Sequence, residues 1–305
     1  MEESNGHVAK LVGIEASNAA FIGVCLDPSG KVAGAEQNVL DRSTDAMPQI
    51  FEFIARLKSR FGNFEKIGVA VPGLVEKGSH RVAYSAAIPE HARGDLAAEI
   101  LSATGITAVV ENDANAAAYG EFKLGSGRGS RDLFYATLGA GVGGAFIING
   151  EIWEGAGGFA GELGNVAINS DGMRLEDVAS TANIVRRTRN RFHQDNTSSL
   201  GRLDEQQIKI EDIVRAAERG DDFAQLMLQR TGIYVGTAIA SVINLLNIER
   251  IVVGGEIMQA ADVVLDSIIR RARELSFAPS FNSTKIVAGE LRENAAAIGA
   301  ALLSA

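Results

Sequence analysis

Glycines are concentrated in one stretch, Gly139-Ala140-Gly141-Val142-Gly143-Gly144, whose spacing satisfies the G-x-G-x-x-G pattern of dinucleotide-binding turns. That pattern needs a helix directly after the turn, whereas the apolar run Ala145–Ile148 predicts a second strand. In a hairpin turn, glycines let backbone N–H groups approach anionic oxygens that a Cβ atom would keep away. We therefore interpret Gly139, Ala140 and Gly141 as part of a phosphate-binding turn. The alternative is a hairpin that is simply tight.

An earlier turn, Glu15-Ala16-Ser17-Asn18-Ala19, contains no glycine, so its backbone is less free to wrap a phosphate. Ser17 and Asn18 could donate side-chain hydrogen bonds, and Glu15 could orient a metal-bound water. Alternatively, all three residues could merely terminate a strand. The turn is therefore a weaker candidate for the nucleotide site than the glycine-rich one.

Two further glycines, Gly254-Gly255, follow the strand predicted at Arg250–Val253. The carboxyl end of a strand is a position where a flat adenine ring could pass close to the backbone. The same glycines could equally allow ordinary packing of a strand against the helix that follows.

Strands and helices alternate along the first part of the chain. The apolar spacing predicts helices over Thr44–Phe61 and Asp95–Thr104, and buried strands over Ile67–Val71 and Thr107–Val110. The second of these strands ends in Glu111-Asn112-Asp113. This alternation predicts an α/β fold with a mixed or parallel sheet and ligands at the carboxyl ends of its strands.

The same order of elements then begins again. A predicted strand at Asp132–Leu138 leads through the glycine-rich turn into Ala145–Ile148, and Ala20-Phe21-Ile22 recurs as Ala145-Phe146-Ile147. This repetition suggests two copies of one architectural plan, with the second domain starting near Ala116. Later elements are predicted as helices at Leu175–Phe192, Glu211–Arg219 and Phe223–Leu246, strands at Arg250–Val253 and Lys285–Ala288, and a last helix from Asn294.

Composition limits the classes of function. The length of 305 residues, 46% of them hydrophobic, is enough for two domains that each have a core. There are 29 Lys and Arg residues against 38 Asp and Glu, and the resulting net charge of -9 has the wrong sign for binding a nucleic-acid backbone. We therefore expect no nucleic-acid partner.

The single cysteine, Cys25, cannot form an internal disulfide, and the four histidines lack the short spacings of a metal site. The opening stretch Met1–Lys10 is polar, and no apolar run approaches the roughly 20 residues that span a bilayer. These observations lead us to expect a cytoplasmic protein with no structural metal and no membrane association.

Six stretches, taken in order, resemble the ROK family of sugar kinases and sugar-responsive repressors. They are Val69–Gly73, Glu111–Ala117, Gly139–Gly144, Phe159–Gly164, Leu246–Gly255 and Asn294–Ala301. The resemblance covers nearly the whole chain. No single motif is decisive, but six in the right order argue against an unrelated α/β fold.

The resemblance implies a two-domain actin-like fold, also called hexokinase-like or ribonuclease H-like, with a ligand cleft between the domains. On this basis the N-terminal domain is expected at residues 1–115, with the C-terminal helix 290–305 returning to it. A larger C-terminal domain is expected at residues 116–289. The family likeness also implies a homodimer.

The resemblance further implies roles for individual residues, with ATP and Mg²⁺ as cofactors. Asp113 matches the family's catalytic base, and Asn112 and Glu162 match ligands of hexose hydroxyls. Other matches on the sugar side are Gly73, Asn165 and Glu176; those on the nucleotide side are Glu15, Ser17, Asn18, Gly139, Ala140, Gly141, Gly254 and Gly255.

Several positions depart from the family pattern. The first turn normally reads glycine-glycine-threonine after an aspartate, but here Glu15 precedes Ala16-Ser17-Asn18, and the second turn's usual threonine is Ala140. The family's histidine that serves both sugar and zinc is Asn165, and only Asn169–Arg174 stands in place of the cysteine-rich zinc loop. We therefore expect no structural zinc, and sugar binding agrees with the family pattern better than ATP binding does.

Three hypotheses follow. The leading one is a kinase that transfers a phosphoryl group from ATP to a hydroxyl of a hexose or amino sugar, a reaction that needs positioning and charge neutralisation. The second is a non-enzymatic sugar-binding sensor derived from such a kinase, which the degenerate first turn favours. A DNA-binding repressor is disfavoured, because family repressors carry a helix-turn-helix domain before the first strand and only about ten residues precede Leu11 here.

Overall fold

The computed structural model describes residues 10–192 and 197–305, which form two compact units. Unit 1 contains the described residues up to Gly125 together with Glu154–Ala160 and Glu293–Ala305. Unit 2 contains Ser126–Trp153 and Gly161–Arg292. The division lies after Gly125 instead of near the predicted Ala116, because the helix that follows Asn112 belongs to unit 1 along its whole length.

Some sequence-based expectations fall outside the described residues. They include almost all of the opening stretch Met1–Lys10, with His7, and also His193. The polar connection predicted at Gln194–Gln207 is described only from Thr197 onwards. That part contains two short 3₁₀ helices, Ser199–Arg202 and Glu205–Gln207.

Unit 1 is built on a five-stranded sheet with the strand order β3-β2-β1-β4-β7. Its strands are β1 (Leu11–Ala16), β2 (Ala20–Leu26), β3 (Val32–Val39), β4 (Lys66–Val71) and β7 (Thr107–Asn112); β5 (Leu74–Val75) pairs separately with β6 (Val82–Tyr84). The β1, β2 and β3 strands are antiparallel, whereas β4 and β7 run parallel to β1. The carboxyl ends of β1, β4 and β7 therefore share one edge of the sheet.

The helices of unit 1 are α1 (Ala46–Phe61), α2 (Leu96–Thr104), α3 (Asp113–Leu124) and α10 (Ala295–Leu303), with a 3₁₀ helix at Pro89–Ala92. The predicted apolar face of α1 is buried, and α10 rests directly on the sheet. A Cβ atom on Gly13 would lie 2.1 Å from a carbonyl oxygen of α10, and one on Gly68 would lie 1.8 Å from another. Only glycine at these positions lets α10 approach β1 and β4 so closely.

Unit 2 repeats the plan of unit 1, with the strand order β10-β9-β8-β11-β12. Its strands are β8 (Leu133–Leu138), β9 (Val142–Ile148), β10 (Glu151–Ile152), β11 (Arg250–Gly254) and β12 (Lys285–Ala288). The β8, β9 and β10 strands are antiparallel, and β11 and β12 run parallel to β8, as in the first sheet. The predicted repetition of one architectural plan is thus confirmed.

The helices of unit 2 are α4 (Glu176–Ala179), α5 (Thr181–Arg189), α6 (Ile210–Glu218), α7 (Asp222–Leu246), α8 (Ala261–Leu275) and α9 (Ala278–Ser283), with 3₁₀ helices at Leu163–Asn165 and Glu256–Ala260. The prediction of one helix over Leu175–Phe192 is wrong, because Ser180 is extended, with ψ 153°, and separates α4 from α5. The predictions for α6 and α7 are confirmed to within one residue at each end.

The longest helix, α7, is a core element of unit 2. By length and composition alone its 25 residues would suit a membrane span, contrary to the expectation that no segment would. Most of its apolar window is buried inside the protein, and it packs tightly on α8. A Cβ atom would lie 2.6 Å from a carbonyl oxygen of α8 if added to Gly232, and 2.7 Å from another if added to Gly236. The two glycines therefore allow α7 and α8 to pack closely.

Candidate functional site

In unit 1, the junction of β7 and α3 places Asn112 and Asp113 side by side. Asn112 has extended backbone angles, and its Oδ1 accepts a hydrogen bond from Asn115 N at 3.0 Å, so it is the N-cap of α3. Asp113 is the first residue within the helix, where its Oδ1 accepts from Ala114 N at 2.9 Å. Since Asn112 performs the capping, that role does not explain why position 113 is acidic.

The amide of Asn112 is largely committed to unit 1 itself. Its Nδ2 donates to the carbonyl of Gly73 at 2.9 Å and to Asp113 Oδ1 at 3.1 Å. With one oxygen lone pair used for capping, a single acceptor site is left for a ligand hydroxyl. Gly73 has φ 138°, and a Cβ atom there would lie 2.2 Å from Tyr84 O, so this glycine is required by the fold.

Glu111 was not predicted as a site residue, but it supports this junction. It is 8% exposed, and its Oε1 accepts from Asn112 N at 2.8 Å and from Asn115 Nδ2 at 3.0 Å. Burial raises the pKa of Glu111, while these two hydrogen bonds oppose that effect. A charged residue type in an otherwise buried strand was the signal available in the sequence.

Glu15 lies near this junction, at the end of β1. It pairs with Ala70 of β4, and Ala70 pairs with Glu111 of β7, so the three residues form one row across the sheet. Burial and the neighbouring negative charge of Asp113 raise the pKa of Glu15 to about 8. The structure therefore brings together Glu15, Asn112 and Asp113 at the shared carboxyl edge.

The turn between β1 and β2, which we call turn 1, uses the backbone N–H groups of Ser17, Ala19 and Ala20 internally. Ser17 Oγ accepts from Ala19 N at 3.3 Å and from Ala20 N at 3.0 Å, and Ser17 N donates to Ala20 O at 2.9 Å. Asn18 is exposed, and its carbonyl accepts from Arg42 Nη1 at 3.1 Å. Ser17 therefore stabilises the turn, and among the described residues only the N–H of Asn18 in turn 1 is left without a partner.

The turn between β8 and β9, which we call turn 2, has a different arrangement. Gly139 N donates to Gly141 O at 3.0 Å, whereas the described residues provide no partner for the N–H groups of Ala140 and Gly141. An added Cβ at Gly139 would have no heavy atom nearer than 3.8 Å, and its φ is not in the positive range. The fold thus does not require glycine at position 139, whereas the approach of a ligand to the backbone would.

Glu176, predicted on the sugar side, contacts turn 2. It is the first residue of α4, but its Oε2 accepts from Val142 N at 3.0 Å and would lie 3.3 Å from a Cβ atom on Gly141. The carboxylate of Glu176 therefore fixes one end of turn 2. This contact explains the acidic residue better than its position at the start of α4 does.

Glu162 and Asn165 lie together on the loop after β10. Both residues are exposed, and Asn165 Nδ2 donates to Glu162 Oε2 at 2.9 Å. Asn165 Oδ1 in turn accepts from Arg174 Nη1 at 3.3 Å. In sequence, this polar network includes Asn165, which stands at the family's histidine position, and Arg174, the last residue of the segment that replaces the zinc loop. Among the described residues there is no group of three or more His, Cys, Asp or Glu that could hold a metal ion.

The glycines at the end of β11 have a packing role. A Cβ atom on Gly254 would lie 2.2 Å from Tyr135 Oη, and one on Gly255, where φ is 95°, would lie 2.3 Å from Leu138 O. Strand packing against β8 therefore accounts for both glycines. Glu256, which follows them, was not predicted as a site residue.

A surface pocket of about 610 Å³ opens beside turn 2. Thr181 lines it and donates its N–H to Gly139 O at 2.9 Å, while Glu256 Oε1 lies 3.8 Å from the position of a Cβ atom on Gly139. Burial and the charge of Glu211 raise the pKa of Glu256. The other charged residues of the lining are Arg186, Arg189, Lys209, Glu205 and Glu211. The volume lies within the range of small-molecule sites.

The sequence matches the ROK family profile over residues 11–305, and the chain therefore belongs to the ROK family. It is 34% identical to a glucokinase of Halalkalibacterium halodurans over 66% of this chain and 64% of that protein. A glucokinase of Thermotoga maritima is 28% identical over 96% of both chains. The xylose repressor of Bacillus spizizenii is 25% identical over 94% of this chain and 75% of the repressor.

Solved structures agree with this assignment. A ROK glucokinase from Streptomyces griseus, in complex with glucose and AMPPNP, superposes with a TM-score of 0.86 at 26% identity, over 97% of this chain and 99% of that one. A ROK transcriptional regulator, a homologue of the E. coli MLC protein, gives a TM-score of 0.84 at 27% identity. The match covers 98% of this chain and 78% of the regulator. The protein thus has the two-domain actin-like α/β fold of the ROK sugar kinases, and its relatives include both kinases and repressors.

Proposed function

We propose that this protein is an ATP-dependent sugar kinase that transfers the terminal phosphoryl group to a hydroxyl of a hexose or amino sugar. The observation that carries the proposal is turn 2, where two exposed backbone N–H groups and an open glycine lie beside a pocket of about 610 Å³. A sugar sensor without a phosphoryl donor would need neither feature. The glucokinase relatives support the same assignment.

The groups proposed to act at the attacking sugar hydroxyl, Asp113 and Asn112, belong to unit 1. Asp113 accepts the proton of the attacking hydroxyl, and the free acceptor site of Asn112 receives a neighbouring hydroxyl. Hydrogen bonds from Ala114 N and Asn112 Nδ2 hold Asp113 Oδ1 in one orientation. Glu162 and Glu176 are proposed to accept further sugar hydroxyls, because each carboxylate oxygen can accept more hydrogen bonds than the structure uses.

The donor nucleotide fits the features of unit 2. We propose that the N–H groups of Ala140 and Gly141 bind phosphate oxygens and that the adjoining pocket holds the nucleoside. Arg186 and Lys209 on the lining are proposed to donate to phosphate oxygens, and Glu256 and Thr181 offer polar partners for ribose or base. ATP supplies the transferable phosphoryl group.

Mg²⁺ is the metal that this reaction requires, and carboxylate oxygens are the ligands it prefers. Glu15 and Asp113 fit that preference, since a cation beside them would relieve the repulsion that helps to raise the pKa of Glu15. We propose that these two residues orient the metal and its waters. The protein is further proposed to act in the cytoplasm as a homodimer without structural zinc.

A coupled assay with ATP, Mg²⁺ and a panel of hexoses and N-acetylhexosamines tests the proposal. At least one sugar should be phosphorylated at a rate that falls when Asp113 is replaced by Asn. Binding of a sugar without any turnover would replace the kinase with the second candidate, a non-enzymatic sensor. Two observations favour that candidate: most backbone donors of turn 1 are used internally, and the relatives include a repressor.

A further inference from the structure

Three exposed side chains of unit 2 form a continuous hydrogen-bonded row. Arg174 Nη1 donates to Asn165 Oδ1 at 3.3 Å, and Asn165 Nδ2 donates to Glu162 Oε2 at 2.9 Å. The row ends at the carboxylate that the proposed function assigns to a sugar hydroxyl. Nothing in the packing of the core requires it, because all three residues lie on the surface.

The chemistry of the two ends sets the orientation of Asn165. An arginine side chain only donates hydrogen bonds, and an ionised glutamate only accepts them. The amide oxygen of Asn165 must therefore face Arg174, which turns the amide nitrogen towards Glu162. Without Arg174, the amide would be held only at the Glu162 end, and its oxygen would have lost its partner.

Arg174 is itself held in place. Its guanidinium lies 3.6 Å from the carboxylate of Asp177, and its backbone N–H donates to Asp177 Oδ2 at 3.0 Å. An isolated strand bridge joins Arg174 to Ala167. Asn169 Oδ1 closes the intervening turn by accepting from Asp171 N at 3.1 Å and Met173 N at 2.9 Å. The short loop therefore presents Arg174 from a defined backbone.

We infer that Arg174 is a positioning residue for sugar binding, which acts through Asn165 to hold the Glu162 carboxylate in its ligand-binding orientation. The inference rests on the proposed function, in which Glu162 binds a sugar hydroxyl. A free glutamate on the surface samples several rotamers, and ordering it on binding weakens affinity. Loss of Arg174 should therefore weaken sugar binding about three- to tenfold and leave donor binding unchanged.

The test uses calorimetry on the full-length protein with the sugar of the panel that wild type binds most tightly, and with AMPPNP. Arg174→Ala should raise the Kd for the sugar and leave the Kd for AMPPNP within error. Arg215→Ala is the matched control, because Arg215 also pairs with an aspartate at 3.6 Å, three residues away, and its side chain has the same 58% exposure. The control variant should bind both ligands like wild type.

A double-mutant cycle tests the route through Asn165. In an Asn165→Ala background, Arg174→Ala should have no further effect on the sugar Kd. Asn165→Asp should weaken the sugar as well, since two carboxylates would then face each other. Equal sugar affinity of Arg174→Ala and wild type would overturn the inference and leave the proposed function intact. So would equal loss of sugar and AMPPNP binding, or additive effects in the cycle. Failure of wild type to bind any sugar would overturn both.

Discussion

Turn 1 and turn 2 occupy equivalent places in two sheets of the same strand order, yet their backbone donors are used differently. In turn 1, the Ser17 hydroxyl accepts the N–H groups of Ala19 and Ala20. In turn 2, Glu176 accepts only the N–H of Val142, and those of Ala140 and Gly141 have no partner among the described residues. The shared topology thus does not determine which turn can bind phosphate; the local side chains do.

The two units therefore have different proposed roles. Unit 1 provides the acidic edge formed by Glu15 and Asp113, and unit 2 provides backbone donors beside a pocket. If this assignment is right, substitutions in unit 1 should affect acceptor chemistry or stability. Those in turn 2 should instead affect the nucleotide.

The largest expected effect is that of Asp113→Asn. Asn can still accept the hydrogen bonds from Ala114 N and Asn112 Nδ2, and Asn112 continues to cap α3, so the fold should be unchanged. An amide cannot accept the proton of a sugar hydroxyl at neutral pH, and turnover should fall at least about 10²-fold. Steady-state assays and a melting curve measure the two effects.

The control for this variant is Asp95→Asn, which makes the same change at the N-cap of α2. It should keep both turnover and melting temperature near the wild-type values, because Asn and Asp cap helices about equally well. Turnover of Asp113→Asn close to wild type would remove Asp113 from the mechanism.

Next in size is Gly139→Ala in turn 2. The added methyl group has room in the protein, and reduced freedom of the unfolded chain should raise stability slightly, by about 0.4–1 kcal/mol. The methyl would, however, stand beside the proposed phosphate position. The KM for ATP should therefore rise about tenfold, which corresponds to roughly 1.4 kcal/mol, with the KM for the sugar unchanged.

Gly201→Ala is the matched control, since a Cβ atom there meets no atom within 4 Å, so the methyl group again has room, and the residue lies outside the proposed site. It should share the small gain in stability and show no change in the KM for ATP. An unchanged KM for ATP in Gly139→Ala would mean that turn 2 is only a tight hairpin.

Patterns in the sequence predicted the parts of the molecule that depend on local spacing. The repeated plan of strand, turn and strand and the helices α1 and α7 were predicted from the spacing of apolar residues, and the acidic edge follows from strand ends. What periodicity missed depends on contacts between distant segments. Ser180 interrupts the predicted helix at the point where Thr181 N reaches Gly139 O, and the pocket beside turn 2 forms from segments far apart in the chain.

The basic run in α5 also makes contacts with distant segments that local sequence patterns do not predict. A basic run such as Arg186-Arg187-Arg189-Arg191 is typical of a solvated helix face, but two of its members make contacts within unit 2. Arg187 donates to Thr231 Oγ1 at 2.7 Å and lies over the ring of Tyr234, and Arg189 donates to the carbonyls of Gln206 and Ile208. Both arginines therefore join parts of unit 2 that no local pattern relates.

Glu15→Gln tests the electrostatics of unit 1. Because the folded-state pKa of Glu15 is about 8, the folded protein keeps a proton that the unfolded chain releases above pH 4.5. Wild type should therefore lose stability relative to the Gln variant as the pH rises from 4.5 to 8. At pH 9 the variant should be more stable by about 1–2 kcal/mol, a value that allows for solvent screening, and at pH 4 the two should match. In an Asp113→Asn background the difference should shrink, and a difference independent of pH would contradict the assignment.

The smallest expected effect is that of Ser17→Ala in turn 1. This variant tests whether Ser17 stabilises the turn without contacting the nucleotide. Loss of the hydroxyl leaves the N–H groups of Ala19 and Ala20 without their acceptor, which should lower the free energy of unfolding by about 1 kcal/mol. Ser17→Thr keeps the hydroxyl and should restore most of that stability. Because Ser17 serves the turn itself, neither variant should change the KM for ATP more than about twofold, well short of the tenfold effect of a lost phosphate contact. A large rise in the KM for ATP with unchanged stability would show that turn 1 also contacts the nucleotide, and the distinction between the two turns would then fail.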